Sequence, residues 1–425
     1  MTVTALILRF PKPLIRLFST AVLAGVLSAA KPAETDWLQW GGPQRNFQAP
    51  VARLAKSWPS GGPKKLWSRP LGEGYTTVLA ESGTVYTAFR RGEQEIVVAL
   101  LAATGKTLWE RAVEAPDRPD KRRPGVGVGP YSTPLIVGAR LFFTASNGVL
   151  YALDKRSGRV LWEQDLWRKY EGNVVDPGYS SSPLAWKETV IVPAGGQGRG
   201  LICFRQQDGS VVWKKLDFEN THASPILINV DGQPQVVHFM QKDLIGADPD
   251  TGDLLWSYPH QTLFNAHAST PVWGSDNILF ISTAYNGGSR ALRLARTGGK
   301  TEVKELWRSQ RMRIHHTNAI RLGDYVYASN GDFGPAPLTC INVTTGQIEW
   351  QERRFGKANL VSSGDNVIVL DESGKLILGV LSPKGAQVLA ETEALTSTAW
   401  TAPTLAGNIL YVRDRKEIAA FHLGE

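Results

Sequence analysis

Residues 150–162 read LYALDKRSGRVLW, and the rest of the chain is organised around that stretch. Leu150-Tyr151-Ala152-Leu153 is a short apolar strand, and Asp154-Lys155-Arg156-Ser157 is turn chemistry. Gly158 can take the left-handed conformation that closes such a turn with a bulge, and Val160-Leu161-Trp162 runs back. The expectation is a tight β-hairpin, and it recurs. Gly-x-x-x-Trp appears at Gly105/Trp109, Gly158/Trp162, Gly209/Trp213, Gly252/Trp256 and Gly346/Trp350. A degenerate copy pairs Gly385 with Leu389, and looser ones end in Trp307 and Trp67. Six residues before the turn glycines sit Ala99, Ala152, Cys203, Gly246, Cys340 and Gly379, all small. Two independent features held in one register make this a repeat protein.

Successive strand-ending residues, from Trp67 to Leu389, are spaced 39 to 53 residues apart, and each step holds about four strands. In the second repeat these are expected at 132–137, 140–145, 149–153 and 159–164. No segment after the N-terminus shows helical periodicity. Four-stranded units at this period predict an all-β chain folded as a β-propeller. The strand-ending residues at 67, 109, 162, 213, 256, 307, 350 and 389 give eight blades. The last blade lacks a fourth strand, while residues 64–69 are a fourth strand with no first three. Antiparallel pairing of 64–69 with 417–423 would close the ring and remove an open edge. The recurrent tryptophans are expected to be buried between blades.

Three segments follow: a signal peptide over 1–30, an N-terminal lead-in over 31–63 that packs on the propeller, and the propeller itself over 64–425. In the first, Arg9, Lys12 and Arg16 precede an apolar run from Leu17 to Leu27, and Ser28-Ala29-Ala30 suits a signal peptidase. The competing reading is a retained anchor. No Cys follows the run, so no lipid anchor is expected, and no later stretch is apolar enough to span a bilayer. The chain is expected to be exported, to the periplasm or beyond. The whole chain carries +8; residues 1–30 hold three basic and no acidic residues, leaving +5 without them. No basic stripe with interleaved aromatics points to nucleic acid. Cys203 and Cys340 share one repeat slot in non-adjacent blades, beyond the ~7 Å Cα separation a disulfide tolerates, and read as buried packing residues.

The pattern Ala-x-Asp-x-x-Thr-Gly-x-x-x-Trp resembles the repeat of the pyrroloquinoline-quinone (PQQ) propellers. LYALDKRSGRVLW matches closely, LIGADPDTGDLLW and LTCINVTTGQIEW match its second half, and DWLQWGGPQRN resembles the lead-in of secreted members. The resemblance covers residues 35–425. It implies membership of a superfamily that holds quinoprotein alcohol dehydrogenases and the BamB-type outer-membrane assembly factors, with catalytic and non-catalytic members sharing the repeat.

The turns that open each first strand are a second repeated signal. They read Tyr131-Ser-Thr-Pro134, Tyr179-Ser-Ser-Ser-Pro183, Thr221-His-Ala-Ser-Pro225, His267-Ala-Ser-Thr-Pro271, His315-His-Thr-Asn-Ala319 and Trp400-Thr-Ala-Pro403. Tyr131, Tyr179, His222, His267, His316 and Trp400 are expected to ring one mouth of the channel. Three readings compete for them: polar groups that every propeller needs at its channel, a funnel for a protein partner or small ligand, and a metal site from His222, His267 and His315 or His316. PQQ with Ca²⁺ would need an aromatic platform, cations for its carboxylates and an acidic and amide calcium set. Trp400 could serve as platform and Asp176 or Asp332 as acid, but no calcium set is recognisable and the family's adjacent Cys pair is absent. No cofactor or metal is therefore expected and no catalytic residue is assigned. Gly125-Val-Gly-Val-Gly129 reads as a tight inter-blade loop, and the charges over 114–123 as a solvated blade-edge loop, with partner docking the alternative. The leading expectation is a monomeric, non-catalytic scaffold; the alternative is a PQQ-dependent oxidoreductase.

Overall fold

The computed structural model describes residues 1, 2, 4, 35–50, 52–121, 125–332, 334 and 336–424. The candidate signal segment lies outside them apart from 1, 2 and 4, as do residues 122 and 123 of the charged loop. Residues 32–425 form one compact unit. Eight four-stranded antiparallel blades make up the propeller, one of them extended by a short fifth strand. The second blade uses Leu135–Val137, Arg140–Thr144, Val149–Asp154 and Val160–Asp165. Its first strand starts three residues later than the sequence predicts. Pro134 has no N–H to give a ladder, and Ser132 and Thr133 bond elsewhere.

Middle strands are apolar on both faces because a neighbouring blade covers each face. Phe142 and Phe143 point to opposite sides, and both are fully buried. At the hairpin, Gly158 N–H donates to Asp154 O at 2.8 Å and Ser157 N–H to Asp154 Oδ1 at 2.9 Å. A bulge then sets Trp162 directly opposite Ala152. The same pairing puts Ala99, Cys203, Gly246 and Cys340 opposite Trp109, Trp213, Trp256 and Trp350. The small-residue slot exists because the indole folds over it: a Cβ on Gly246 would lie 2.1 Å from Trp256 Nε1. Cys203 and Cys340 are free and buried there.

Each indole also ties its blade to the next. Trp109 Nε1 donates to Lys155 O at 3.0 Å, and its ring lies against Gly158. Trp162, Trp213, Trp307 and Trp67 repeat this on Gln206/Gly209, Pro249/Gly252, Val343/Gly346 and Ala102/Gly105. Trp213 and Trp256 are buried as expected, whereas Trp109, Trp162 and Trp350 are half-buried. The clasp sits on outer strands, where one edge of the ring meets solvent. Trp256 departs further and donates to Gln235 Oε1 of its own blade at 2.7 Å. The fifth blade meets it with a long hairpin, Gly288–Thr297 and Lys300–Ser309, that turns at Gly298-Gly299 and lacks the Gly-x-x-x-Trp spacing.

Lys64–Pro70 pairs antiparallel with Glu417–His422, Trp67 opposite Ala420, so both chain ends build the eighth blade. The Arg413 guanidinium, fully buried, fastens this blade to the first through Ala88 O at 2.6 Å, Thr87 Oγ1 at 3.3 Å and Gly72 O at 3.0 Å. Burial lowers its pKa to about 10, still cationic at neutral pH.

The N-terminal lead-in crosses the channel. Trp37 bridges to Ala80 of the first blade, and Leu38 O accepts from Ile136 N–H of the second. The Arg45 guanidinium donates to Pro183 O and Ser182 O of the third. Trp40 Nε1 donates to Thr270 Oγ1 beside the fifth, and Gln48 Nε2 to Arg321 O of the sixth. Gln48–Ala49 then adds a parallel strand to Ala358–Ser363 of the seventh, and Ala55 N–H donates to Leu423 O at the end of the eighth.

Candidate functional site

The turns that open the first strands are cross-linked around the ring. Thr77 N–H donates to Thr133 Oγ1, Thr133 N–H to Ser182 Oγ, Ser182 N–H to Ser224 Oγ, and Asn318 N–H to Asn359 Oδ1, at 3.0–3.2 Å. These bonds define equivalent positions. Two residues upstream in each blade stand Tyr75, Tyr131, Ser180, His222, Ala268, His316, Lys357 and Trp400, and all eight line one funnel. The residues immediately after them, from Thr76 and Ser132 to Thr401, are buried in every blade. Period-two alternation thus puts one side chain into the funnel and the next into the wall.

Four of the six residues picked from the sequence are on that wall: Tyr131, His222, His316 and Trp400. Tyr179 and His267 sit one position upstream and point into the core. Tyr179 is fully buried with its hydroxyl on Pro193 O at 2.8 Å, and burial raises its pKa. His267 is fully buried, its ring stacked on Phe239 at 4.8 Å and its Nε2 3.1 Å from Gln241 O; burial lowers its pKa to about 4. In their blades the funnel receives Ser180 and Ala268 instead. The sequence did carry the correct register: counting back three from Pro134, Pro183, Pro225, Pro271, Ala319 and Pro403 lands on the wall each time. Tyr75 and Lys357 were missed because Val78 and Leu360 stand where the proline signal should be.

The funnel encloses about 1030 Å³, and Trp40 of the lead-in is among the residues that line it. Seven rings run around its wall in contact. Tyr75 stacks between Tyr131 and Trp400 at 5.8 and 5.9 Å, with interplanar angles of 10° and 21°. Trp400 meets His316 at 4.6 Å, and the arc continues through His315 and Tyr285 to Phe264. Second contacts hold these rings. Tyr75 Oη accepts from Gly127 N–H at 2.8 Å, Tyr131 Oη donates to Gly127 O at 3.0 Å, and Trp400 Nε1 donates to Glu372 Oε2 at 3.1 Å. The opposite wall carries hydroxyls and an imidazole, with Ser180 Oγ 3.0 Å from His222 Nδ1.

Lys357 is the buried cation of the funnel, 8% exposed, and donates to Asp332 O at 3.2 Å. Burial lowers its pKa, while Glu372 and Asp332 draw it back up. His316 is held neutral, its pKa well below the ordinary range, by burial first and then by His315 and Lys357. Its Nε2 is shielded from solvent and has no hydrogen-bond partner among the described residues.

This donor set does not fit PQQ with calcium. Three quinone carboxylates would meet one buried lysine, and Asp176, which lines the funnel, is exposed and ion-paired to Arg118 at 3.0 Å. Asp332 is turned to Arg313 at 3.4 Å. Among the described residues no group of three His, Cys, Asp or Glu is placed to hold a metal ion. The three-histidine reading fails on His267, whose ring lies in the core.

A family model described as outer membrane protein assembly factor BamB matches residues 93–352. The BamB of Moranella endobia is 22% identical over 335 residues, covering 74% of this chain and 69% of that protein. Among solved structures, BamB from Moraxella catarrhalis superposes with a TM-score of 0.61 at 18% identity, covering 84% of this chain and 97% of that one. Quinohemoprotein alcohol dehydrogenase from Comamonas testosteroni gives 0.50 at 12% identity, covering 92% and 81%. Both structures share the propeller, and at such identities the likeness speaks for fold alone.

Proposed function

The chain belongs to the family described as outer membrane protein assembly factor BamB, and on that premise we propose that it is a non-catalytic, protein-binding propeller of the cell envelope. The observation that carries this reading is the make-up of the funnel wall. It offers stacked rings, hydroxyls and the buried Lys357, which suit a partner, and its three carboxylates among the described residues are each engaged: Glu372 by the Trp400 indole, Asp176 by Arg118 and Asp120 by Lys121. A dehydrogenase would need a carboxylate base beside its quinone. Export to the periplasm is part of the proposal, supported by the basic and apolar N-terminal run.

Two measurements test it. Purified protein given PQQ and Ca²⁺ should develop no quinone absorbance and reduce no dye with alcohols; dye reduction would show an enzyme. Chemical cross-linking in cells should join the chain to outer-membrane assembly proteins, and recovery of the chain in the cytoplasmic fraction would refute the location.

A further inference from the structure

We infer that the funnel is the docking point for an extended polypeptide segment that inserts an aromatic side chain against the ring arc; this rests on the protein-binding reading above. Lys357 is nine-tenths buried and faces the funnel, and an ammonium has three donors, of which the described residues take one. A buried cation whose N–H groups are not all taken by the described residues, beside Trp400, fits a carbonyl or carboxylate oxygen of an incoming ligand. The seven-ring arc fits an aromatic side chain, through offset and edge contacts. On the other wall, Ser180 and His222 present hydroxyl and imidazole groups that suit backbone amides.

Two further features choose a polypeptide over a small ligand. Exposed apolar side chains stand on the loops that border the funnel: Val174 at 50%, Leu263 at 68% and Phe264 at 52% exposure. Val174 and Phe264 also line the funnel, but a molecule confined to it would leave Leu263 wet, whereas a segment crossing the mouth covers all three. The lead-in bonds across the channel and contributes Trp40 to the funnel, so the cavity is blind. A chain therefore enters as a loop or a terminus and leaves by the same face.

The probe is a fluorescein-labelled ten-residue peptide of Gly and Ser with a single central Phe, its Ala counterpart serving as control. Anisotropy titration of the full chain should show the Phe peptide binding about thirty-fold more tightly, the scale of one aromatic anchor. Trp400→Ala and Lys357→Met should each weaken it by tenfold or more. Ser180→Trp, which fills the funnel from the opposite wall and leaves the arc intact, should abolish it; thermal melts check that each variant is folded. Equal binding of the two peptides, or undiminished binding to folded Ser180→Trp, overturns the proposal. So does N-acetyl-phenylalaninamide displacing the peptide at equal concentration, which would make this a small-molecule site. Photo-cross-linkers at Phe264 and at Leu108, on an outer strand, separate the two levels of the claim. Assembly proteins captured at Leu108 and never at Phe264 would leave the protein-binding reading standing and remove the funnel from it.

Discussion

At Gly158 the backbone has φ +69°, and a Cβ there would lie 2.5 Å from the Trp109 ring. Gly158→Val should therefore cost about 3 kcal/mol or more, combining left-handed strain with overpacking. Gly385, with φ +143° and open space around it, carries only the first penalty. Denaturant midpoints should rank Gly385→Ala well above Gly158→Ala. The buried imidazoles set the pH response. His238 and His267 have pKa values lowered to about 3 and about 4, and His260, against the Arg290 guanidinium, lies well below the ordinary range. All three stay neutral in the fold and charge near 6.5 when unfolded. Stability is then complete above pH 6.5 and falls as acid carries the protein toward those depressed values, by about 1.4 kcal/mol per pH unit for each histidine. His238→Gln should flatten the melting temperature's dependence between pH 6 and 4.5. Single residues were also where sequence reading slipped. Tyr179 and His267 are chemically apt for a funnel, and a shift of one position turned them into core.

Between residues and ring, the unit is the clasp of indole, turn glycine and carbonyl. It was legible as a spacing because a bulged hairpin fixes the distance from Gly158 to Trp162. Its target on the next blade was not legible, since neither Lys155 nor Gln206 is called for by type; only their carbonyls are used. The seam between the last and first blades relies on a different device. Arg413→Met would keep the volume and remove the bonds to Ala88 O, Thr87 Oγ1 and Gly72 O. Buried carbonyls left without donors should make this cost about 3–5 kcal/mol, read by urea unfolding. Arg413→Lys should recover only part of the loss, because a point charge cannot span the same acceptors.

Blade number and closure could be counted from the sequence, because each blade repeats the same spacing and the two ends have opposite deficits. The path of residues 35–49 could not, because that segment has no period and its contacts run to six different blades. Closure makes the ring one cooperative object. Deleting residues 414–425 removes the strand that pairs with Lys64–Pro70. Calorimetry should then show the whole transition moved down, with no small separate loss at the tail. The same seam has a consequence for time. Its partners lie more than 300 residues apart, so their loop-closure entropy is spent before any contact there is formed, and the ring stays open until the strand Glu417–His422 has been made. Joining residue 424 to 35 and opening the chain at the exposed Gly298-Gly299 turn would make the seam local. Stopped-flow refolding of that permutant should outpace the parent.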